Sequence, residues 1–435
     1  MQLKFRWILI LLLISTSSRS QDSLLSLDQA IEIALKNNYD ITVARDLVEV
    51  ADNENSAGNA GMLPDIDVHG TYQRSSNSLK QKYNTGAEVD RDASISKNIS
   101  ADVTATWTVF DGLRMFKTKD RLSEIAYQAD VQLRIQIESS LVEIITAYYS
   151  IVRYAQLIRA IEEEILLSEE QLKISDRKMQ NGSGSKLEWL QAKTNYNRQL
   201  SLQVQLKSES EASHIRLNVL LGREPGQAYS VDDTVIISYR PAFDDLKKTV
   251  IDKNNILDYY RKNQRIAELN LAESRAGRWP VISLHAQYIY SRTTNEAGFS
   301  LLNQARGFNY GATATLPLFR GFNINRQVKS SSLNYRIATI AYSQQEARIN
   351  EALFNAWRDF ENSLELLQIE EDNIGFAREQ LSIAQERYRI GASSIVEQRE
   401  SQRTFEDAMK RLADARFNAK LAETNLRKLN GELVR

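Results

Sequence analysis

The sequence predicts an internally duplicated α-plus-β protomer, in which four amphipathic strands belong to a membrane β-barrel and long antiparallel helices pair as coiled coils. Three observations lead there. Residues 99–110, ISADVTATWTVF, alternate strictly between apolar and polar; one set of identities recurs at a fixed spacing; and two long runs are almost free of Pro and Gly.

Composition removes several alternatives. The 435 residues carry 55 Lys+Arg against 56 Asp+Glu, a net charge of -1, so no basic footprint points to nucleic acid. Cysteine is absent, which excludes disulfides, thiolate metal sites, a cysteine nucleophile and a lipid-modified N-terminal Cys. No cofactor or metal is expected. A hydrophobic content of 42% argues against general disorder, and only 5 Pro leave room for very long helices.

The N-terminus reads as an export signal. Lys4 and Arg6 precede the apolar run 7–14, and the small polar residues 15–20 offer a cleavage point before Gln21, so residues 1–20 are excluded from the fold. No run approaches the roughly 20 apolar residues of a spanning helix. If the chain meets a membrane, it does so by strands.

The duplication is read next. An offset of 209 matches Thr106/Thr315, Phe110/Phe319, Gly112/Gly321, Glu170/Glu379, Gln171/Gln380, Leu172/Leu381, Gly182/Gly391, Ser185/Ser394, Glu188/Glu397, Leu217/Leu426 and Gly222/Gly431. Upstream of the alternating stretch the offset is 216, giving Ala60/Ala276, Gly61/Gly277, Pro64/Pro280, Ile66/Ile282, His69/His285 and Tyr72/Tyr288. The first repeat is placed at 21–222 and the second at 256–435. The segment 223–255, with Pro225 and Pro241, is read as a connection crossing between them at mid-length.

Each repeat holds two alternating stretches, giving strand hairpins at 65–110 and 281–319. Ile66, Val68, Gly70 and Tyr72 share one face of the first; Ile282, Leu284, Ala286, Tyr288 and Tyr290, then Phe308, Tyr310, Ala312, Ala314, Leu316 and Leu318, share one face of the second. A period of two over about ten residues is the strand signal, and that length, tilted, crosses a bilayer. A soluble sheet gives the same alternation. A lipid-facing barrel adds aromatics near the interfaces, and Tyr72, Trp107, Phe110, Tyr288, Tyr290 and Phe308 sit near strand ends. His69 and His285 fall on the polar side as wetted wall.

The remainder is helix. The run 112–180, at 1.5 Å per residue, makes a rod of roughly 100 Å. Its copy spans 321–390, interrupted only by Gly375. Ile158, Ile165, Leu172 and Met179 are seven apart, as are Leu367, Ile374, Leu381 and Tyr388, with small companions at Ser168, Ser175, Ala377 and Ala384. Large and small residues at heptad spacing predict coiled coils at the distal ends. Asn181-Gly182-Ser183-Gly184 and Gly391-Ala392-Ser393 stop the rods, and Ser185…Glu188 and Ser394…Glu397 spell capping boxes for return helices over 186–221 and 394–431. The return helices are half the rods. The missing half is supplied by a helix capped at Ser26 and running toward Met62, with a counterpart ending near Arg278. Four strands are too few to close, so at least two and more comfortably three chains share a barrel, three giving twelve strands.

This plan, together with the tip run 388–397, YRIGASSIVE, resembles the TolC-type outer membrane efflux proteins over nearly the whole mature chain. The resemblance implies a homotrimer in outer-membrane lipid, with a 12-stranded barrel continuous with an α-helical periplasmic tunnel. It implies an exit duct for a tripartite efflux or type I secretion system, opened where its tip meets a periplasmic adaptor coupled to an inner-membrane pump of RND or ABC type, and performing no chemistry. Carried over residue by residue, the adaptor-facing tip falls on Gly182, Ser183, Gly391, Ala392 and Ser393. The glycines also end helices. Tyr388 matches a tyrosine that holds relatives closed, although its place in the seam gives it a packing role as well. Glu188, Glu397 and Glu400 match positions of acidic rings, helix capping being the main role of the first two and Glu400 the better ring candidate. Ser393 departs from relatives that carry an arginine there. A periplasmic scaffold or adaptor without a pore explains the helical hairpins and leaves the strands and the duplication without a purpose.

Overall fold

The computed structural model describes residues 24–433, so the export signal expected over 1–20 lies outside them. In chain order the elements are β1 (Leu24–Leu25), α1 (Leu27–Asn37), α2 (Tyr39–Glu54), β2 (Asp65–Lys82), β3 (Glu88–Phe110), α3 (Arg114–Gln180) and α4 (Lys186–Leu220), then β4 (Ser230–Val231), α5 (Phe243–Lys253), α6 (Asn255–Ala276), β5 (Val281–Asn295), β6 (Leu302–Thr315), α7 (Asn323–Arg389) and α8 (Ile395–Leu429). The second series repeats the first.

The four long strands form one antiparallel sheet in the order β2-β3-β5-β6, leaving β2 and β6 as open edges. The register lines the apolar residues into continuous rows, such as Ile66–Ala105–Ala286–Tyr310 and Val68–Val103–Tyr288–Phe308. Nothing within the described residues covers that face: Val68 is 76% exposed and Tyr310 80%. The other face is wet and internally bonded. Asp102 Oδ2 accepts from Thr104 Oγ1 at 2.8 Å and Gln287 Nε2 at 3.2 Å and lies 3.4 Å from His69 Nδ1.

Within the hairpin expected over 65–110 the polar segment 74–98 is largely strand as well, because β2 runs on to Lys82 and β3 starts at Glu88. Alternation fades there since both faces of the extended hairpin are wet, while the ladder still satisfies the backbone. Conversely, β6 stops at Thr315, so Leu316 and Leu318 lie outside the strand expected to reach 319. Pro317 has no N–H for a ladder.

The helix expected from Ser26 toward Met62 is two helices hinged at Asn38. Its Oδ1 accepts from the N–H groups of Asp40 and Ile41 at 3.0 and 3.1 Å, while its Nδ2 donates to the Leu220 carbonyl at 2.8 Å. Asn254 repeats the clamp, accepting from Leu257 at 3.0 Å and donating to the Leu429 carbonyl at 2.8 Å. Each return helix is thus joined end to end to a short proximal helix. Gly222 and Gly431 close these joints with φ of +65° and +63°, and a Cβ on them would stand 2.6 Å from the Asn37 carbonyl oxygen and 2.3 Å from that of Lys253. Only glycine fits there. The connection expected over 223–255 is therefore partly helical, since α5 occupies Phe243–Lys253 as the counterpart of α1. The long helices begin two residues later than expected, after left-handed turns at Leu113 and Phe322.

The helices pack in the order α2–α3–α6–α7 toward the sheet, while distally α3 carries both α4 and α8, and α8 carries α7. Side chains tie neighbours along the proximal half, as in Arg121–Glu273 at 2.7 Å and Lys262–Glu124 at 3.1 Å. The apolar core sits at mid-length in two related clusters, one around Ile144, Tyr148, Ile151, Leu217 and Leu221, the other around Leu246, Leu257, Leu353, Phe360 and Leu426. No helix among the described residues is long and apolar enough to cross a membrane.

Candidate functional site: the distal tip

Both helical hairpins turn at the distal end through the same device. In α3 the Gly182 N–H donates to the Met179 carbonyl at 3.2 Å and the Ser183 N–H to that of Lys178 at 2.9 Å; in α7 Gly391 donates to Tyr388 at 3.1 Å and Ala392 to Arg387 at 2.8 Å. This is a Schellman closure, with Gly182 at φ +72° and Gly391 at +78°. A Cβ on either glycine would meet nothing within 4 Å, so the turn is fixed by backbone angle and its outer surface is free.

The capping boxes differ between copies. At α4 the box is complete: the Glu188 N–H donates to Ser185 Oγ at 3.1 Å and the Ser185 N–H to Glu188 Oε2 at 3.4 Å. At α8 it is half made, because Glu397 turns its carboxylate to Arg387, 2.9 Å away, while its N–H donates to Ser394 Oγ at 3.3 Å. A neighbouring guanidinium outcompetes a single backbone N–H.

Tyr388 joins the two hairpins. Its ring is 4% exposed, with the Lys178 ammonium 4.3 Å from its centroid, and its hydroxyl has no hydrogen-bond partner among the described residues. Burial pushes its phenol up, and the charge of Glu188 adds to that. Glu188, Lys178 and Tyr388 are thus neighbours, whereas Glu397 is engaged with Arg387 and Glu400 stands apart. Glu400 lies in a groove of about 750 Å³ between α4 and α8, whose rim includes Leu187, Leu190, Arg399, Arg403 and Asp407.

The seam above the tip is chemically different from the one expected on α3. Leu381, Tyr388, Ala377 and Ala384 are buried on α7. On α3 the buried line is Glu164, Ser168, Gln171 and Ser175, with Ile158, Ile165, Leu172 and Met179 half-buried beside it. Gln402 of α8 donates to Glu164 Oε2 at 2.5 Å and to Ser168 Oγ at 3.0 Å, and Asn195 of α4 donates to Gln402 Oε1 at 3.0 Å. Arg198 then bonds Asn195 Oδ1 at 3.1 Å and pairs with Glu406 at 3.0 Å, and Gln199 reaches the same carboxylate. Glu164 is 2% exposed; burial pushes its carboxyl up to about 7 against the pull of the Gln402 hydrogen bond, and its Oε1 has no partner. The sequence offered one signal for this node, a polar heptad of Glu164 and Gln171 interleaved with Ser168 and Ser175, masked by the parallel apolar series. Lys178 and Arg387 carried no signal at all, since their partners come from other helices.

The family model described as "Outer membrane efflux protein" matches residues 30–223 and 251–432. Nodulation protein T of Rhizobium leguminosarum bv. trifolii is 24% identical over 400 residues, covering 88% of this chain and 81% of the relative. Outer membrane protein TolC of Salmonella enteritidis is 21% identical over 350 residues, covering 78% and 70%. In fold, the chain is similar to the Campylobacter jejuni CmeC outer membrane channel, with a TM-score of 0.79 at 17% identity over 93% of this chain and 85% of that one. The uncovered apolar strand face agrees with the fold of an outer membrane channel. The chain belongs to the outer membrane efflux protein family, outer-membrane channels that join barrel strands to coiled-coil helices.

Proposed function

We propose that the protein is the passive exit duct of a tripartite efflux or type I secretion system, closing as a homotrimer and gated at its helical tip. The observation that carries this reading is the pair of open edges. The sheet is unpaired at β2 and β6, and the helix layer ends at α2 and α7 on the corresponding sides. One head-to-tail contact therefore serves strands and helices together, and a contact of that kind closes a ring when repeated. α2 exposes Tyr39, Val43, Leu47 and Val50 at helical spacing, and α7 exposes Leu333, Ile337 and Ile340 at similar spacing. Three copies bring the barrel to twelve strands, and closure removes the edges that lipid does not tolerate.

At the tip, Tyr388 and Lys178 hold the two hairpins together, Glu188 and Glu397 cap and brace the return helices, and Glu400 supplies the acidic ring. Gly182, Ser183, Gly391, Ala392 and Ser393 present the surface that a periplasmic adaptor touches, and the adaptor links the duct to an RND or ABC pump, from which the energy comes. Substrate then moves along a wall of polar side chains.

Native mass spectrometry of the detergent-extracted membrane complex tests the assembly. A trimer is expected, and a monomer or dimer sinks the reading.

A further inference from the structure

The two faces of the sheet carry opposite charge. Among the described residues of the four-stranded region, the wet face holds Asp65, Asp67 and Asp102 with no Lys or Arg, while the apolar face holds Arg74, Lys97, Arg292 and Arg306 with no carboxylate. The four cations are contiguous. Arg74 pairs directly with Lys97; Arg292 faces Ile99, two residues along β3 from Lys97; Arg306 faces Tyr290, two residues along β5 from Arg292. Direct pairs stand about 5 Å apart and diagonal ones about 7–8 Å, so the charges form one stripe across all four strands.

All four are exposed, and none has an ion pair or a side-chain hydrogen bond among the described residues. Like charges set side by side repel. Farther along the same hairpin the situation differs, since Lys80 is matched by Asp90 at 3.1 Å and Glu88 at 3.8 Å. The stripe has no such pairing, the carboxylate of the bordering Glu296 accepting instead from the Ile95 N–H at 3.3 Å.

Its height identifies where the anion would come from. Lys97 lies ten residues along β3 from Trp107, which at about 3.4 Å per residue and a tilt near 40° is roughly 25 Å, the height of a lipid-facing band. The stripe borders the rows of Tyr72, Tyr288, Tyr290 and Phe308 on the side of the hairpin turns, away from the helices. At that level Arg and Lys cost little, whereas at mid-membrane they are strongly disfavoured.

We propose that Arg74, Lys97, Arg292 and Arg306 form a binding site for the phosphorylated headgroup of an outer-leaflet lipid, whose acyl chains lie on the adjoining aromatic rows. Guanidinium groups match phosphate oxygens in bidentate fashion, and the apolar rows distinguish a lipid phosphate from a free one. The inference rests on the duct reading, in which the apolar face meets lipid and the turns face outward.

The test uses the full-length protein in detergent, with diphosphoryl lipid A and its dephosphorylated form as probes and millimolar inorganic phosphate as competitor. Binding of the diphosphoryl form is expected to be at least about tenfold tighter, and R74Q, K97Q, R292Q and R306Q are each expected to weaken it about fivefold. R292K, which keeps the charge and loses the bidentate fork, should fall between the unaltered protein and R292Q, and D65N/D67N/D102N on the opposite face should keep all of the affinity. Equal binding of the dephosphorylated lipid, which needs no variant, overturns the site. So does unchanged affinity in the quadruple variant, and full displacement by inorganic phosphate overturns the lipid as the source. Native mass spectra taken alongside separate the two readings: a trimer indifferent to phosphate sinks only this site, and a monomer sinks the duct.

Discussion

The helical layer is built from two different materials. At mid-length it is an apolar core, with Phe360, Leu353, Leu217 and Ile144 fully or almost fully buried. Nearer the tip its interior is a polar node of Glu164, Ser168, Asn195, Gln199 and Gln402 joining α3, α4 and α8. Apolar packing loses free energy with every void, so the mid-length region has one good arrangement. Hydrogen bonds in the node can be exchanged for others at small net cost, provided none is left buried and unmet. The difference places the more exchangeable interior at the distal end, where the gate is proposed.

The comparison can be broken most sharply by truncation. Phe360→Ala should cost about 3–5 kcal/mol in thermal or denaturant unfolding, and Ser168→Ala under about 1. Comparable losses at both sites erase the distinction.

Titration gives the next largest effect. Glu164 sits at about 7, raised from the usual carboxylate value of 4.5 by burial. The native state then holds a proton that the unfolded chain releases, so stability is full below about pH 4.5 and declines as pH rises to about 7, by on the order of 3 kcal/mol. Glu138, also raised to about 7 by burial and bonded to Asn255 Nδ2 at 2.9 Å, contributes with the same sign. E164Q and E138Q should each flatten part of this slope. Melting curves at pH 5 and 8 with no such difference refute the assignment.

Asn195→Ala should cost about 1–2 kcal/mol and, by unpinning α4 from α8, raise single-channel conductance of the membrane-inserted protein. A stable variant with unaltered conductance would separate the node from the gate. The smallest effect is expected at the tip. Because the Tyr388 hydroxyl has no partner among the described residues, Tyr388→Phe should change stability by less than about 0.5 kcal/mol and leave conductance unchanged, whereas Tyr388→Ala should remove the ring that Lys178 covers and open the channel. Equal behaviour of the two variants rejects the ring as the lock.

Much of this was legible in the sequence because it is local or repeated. Gly182 and Gly391 mark their turns because backbone angle alone decides them. The identities at 209 and 216 align elements whose equivalence the Asn38 and Asn254 clamps then display. Less was legible where a partner arrives from another helix. Nothing around Glu397 distinguishes it from Glu188, yet Arg387 draws its carboxylate away and leaves one box half made. The α3 seam was misread because two heptad series run side by side, and only packing on α4 and α8 decides which is buried.

The sequence by itself determined the duplication, the four strands, the rods and their stops, since each follows from a periodicity or a local backbone preference. Only the tertiary structure decided that β3 pairs with β5, that return and proximal helices join at an asparagine clamp, and that the distal interior is polar. Those outcomes depend on which surfaces meet across hundreds of residues, and the free energy of such contacts is not written in any one segment.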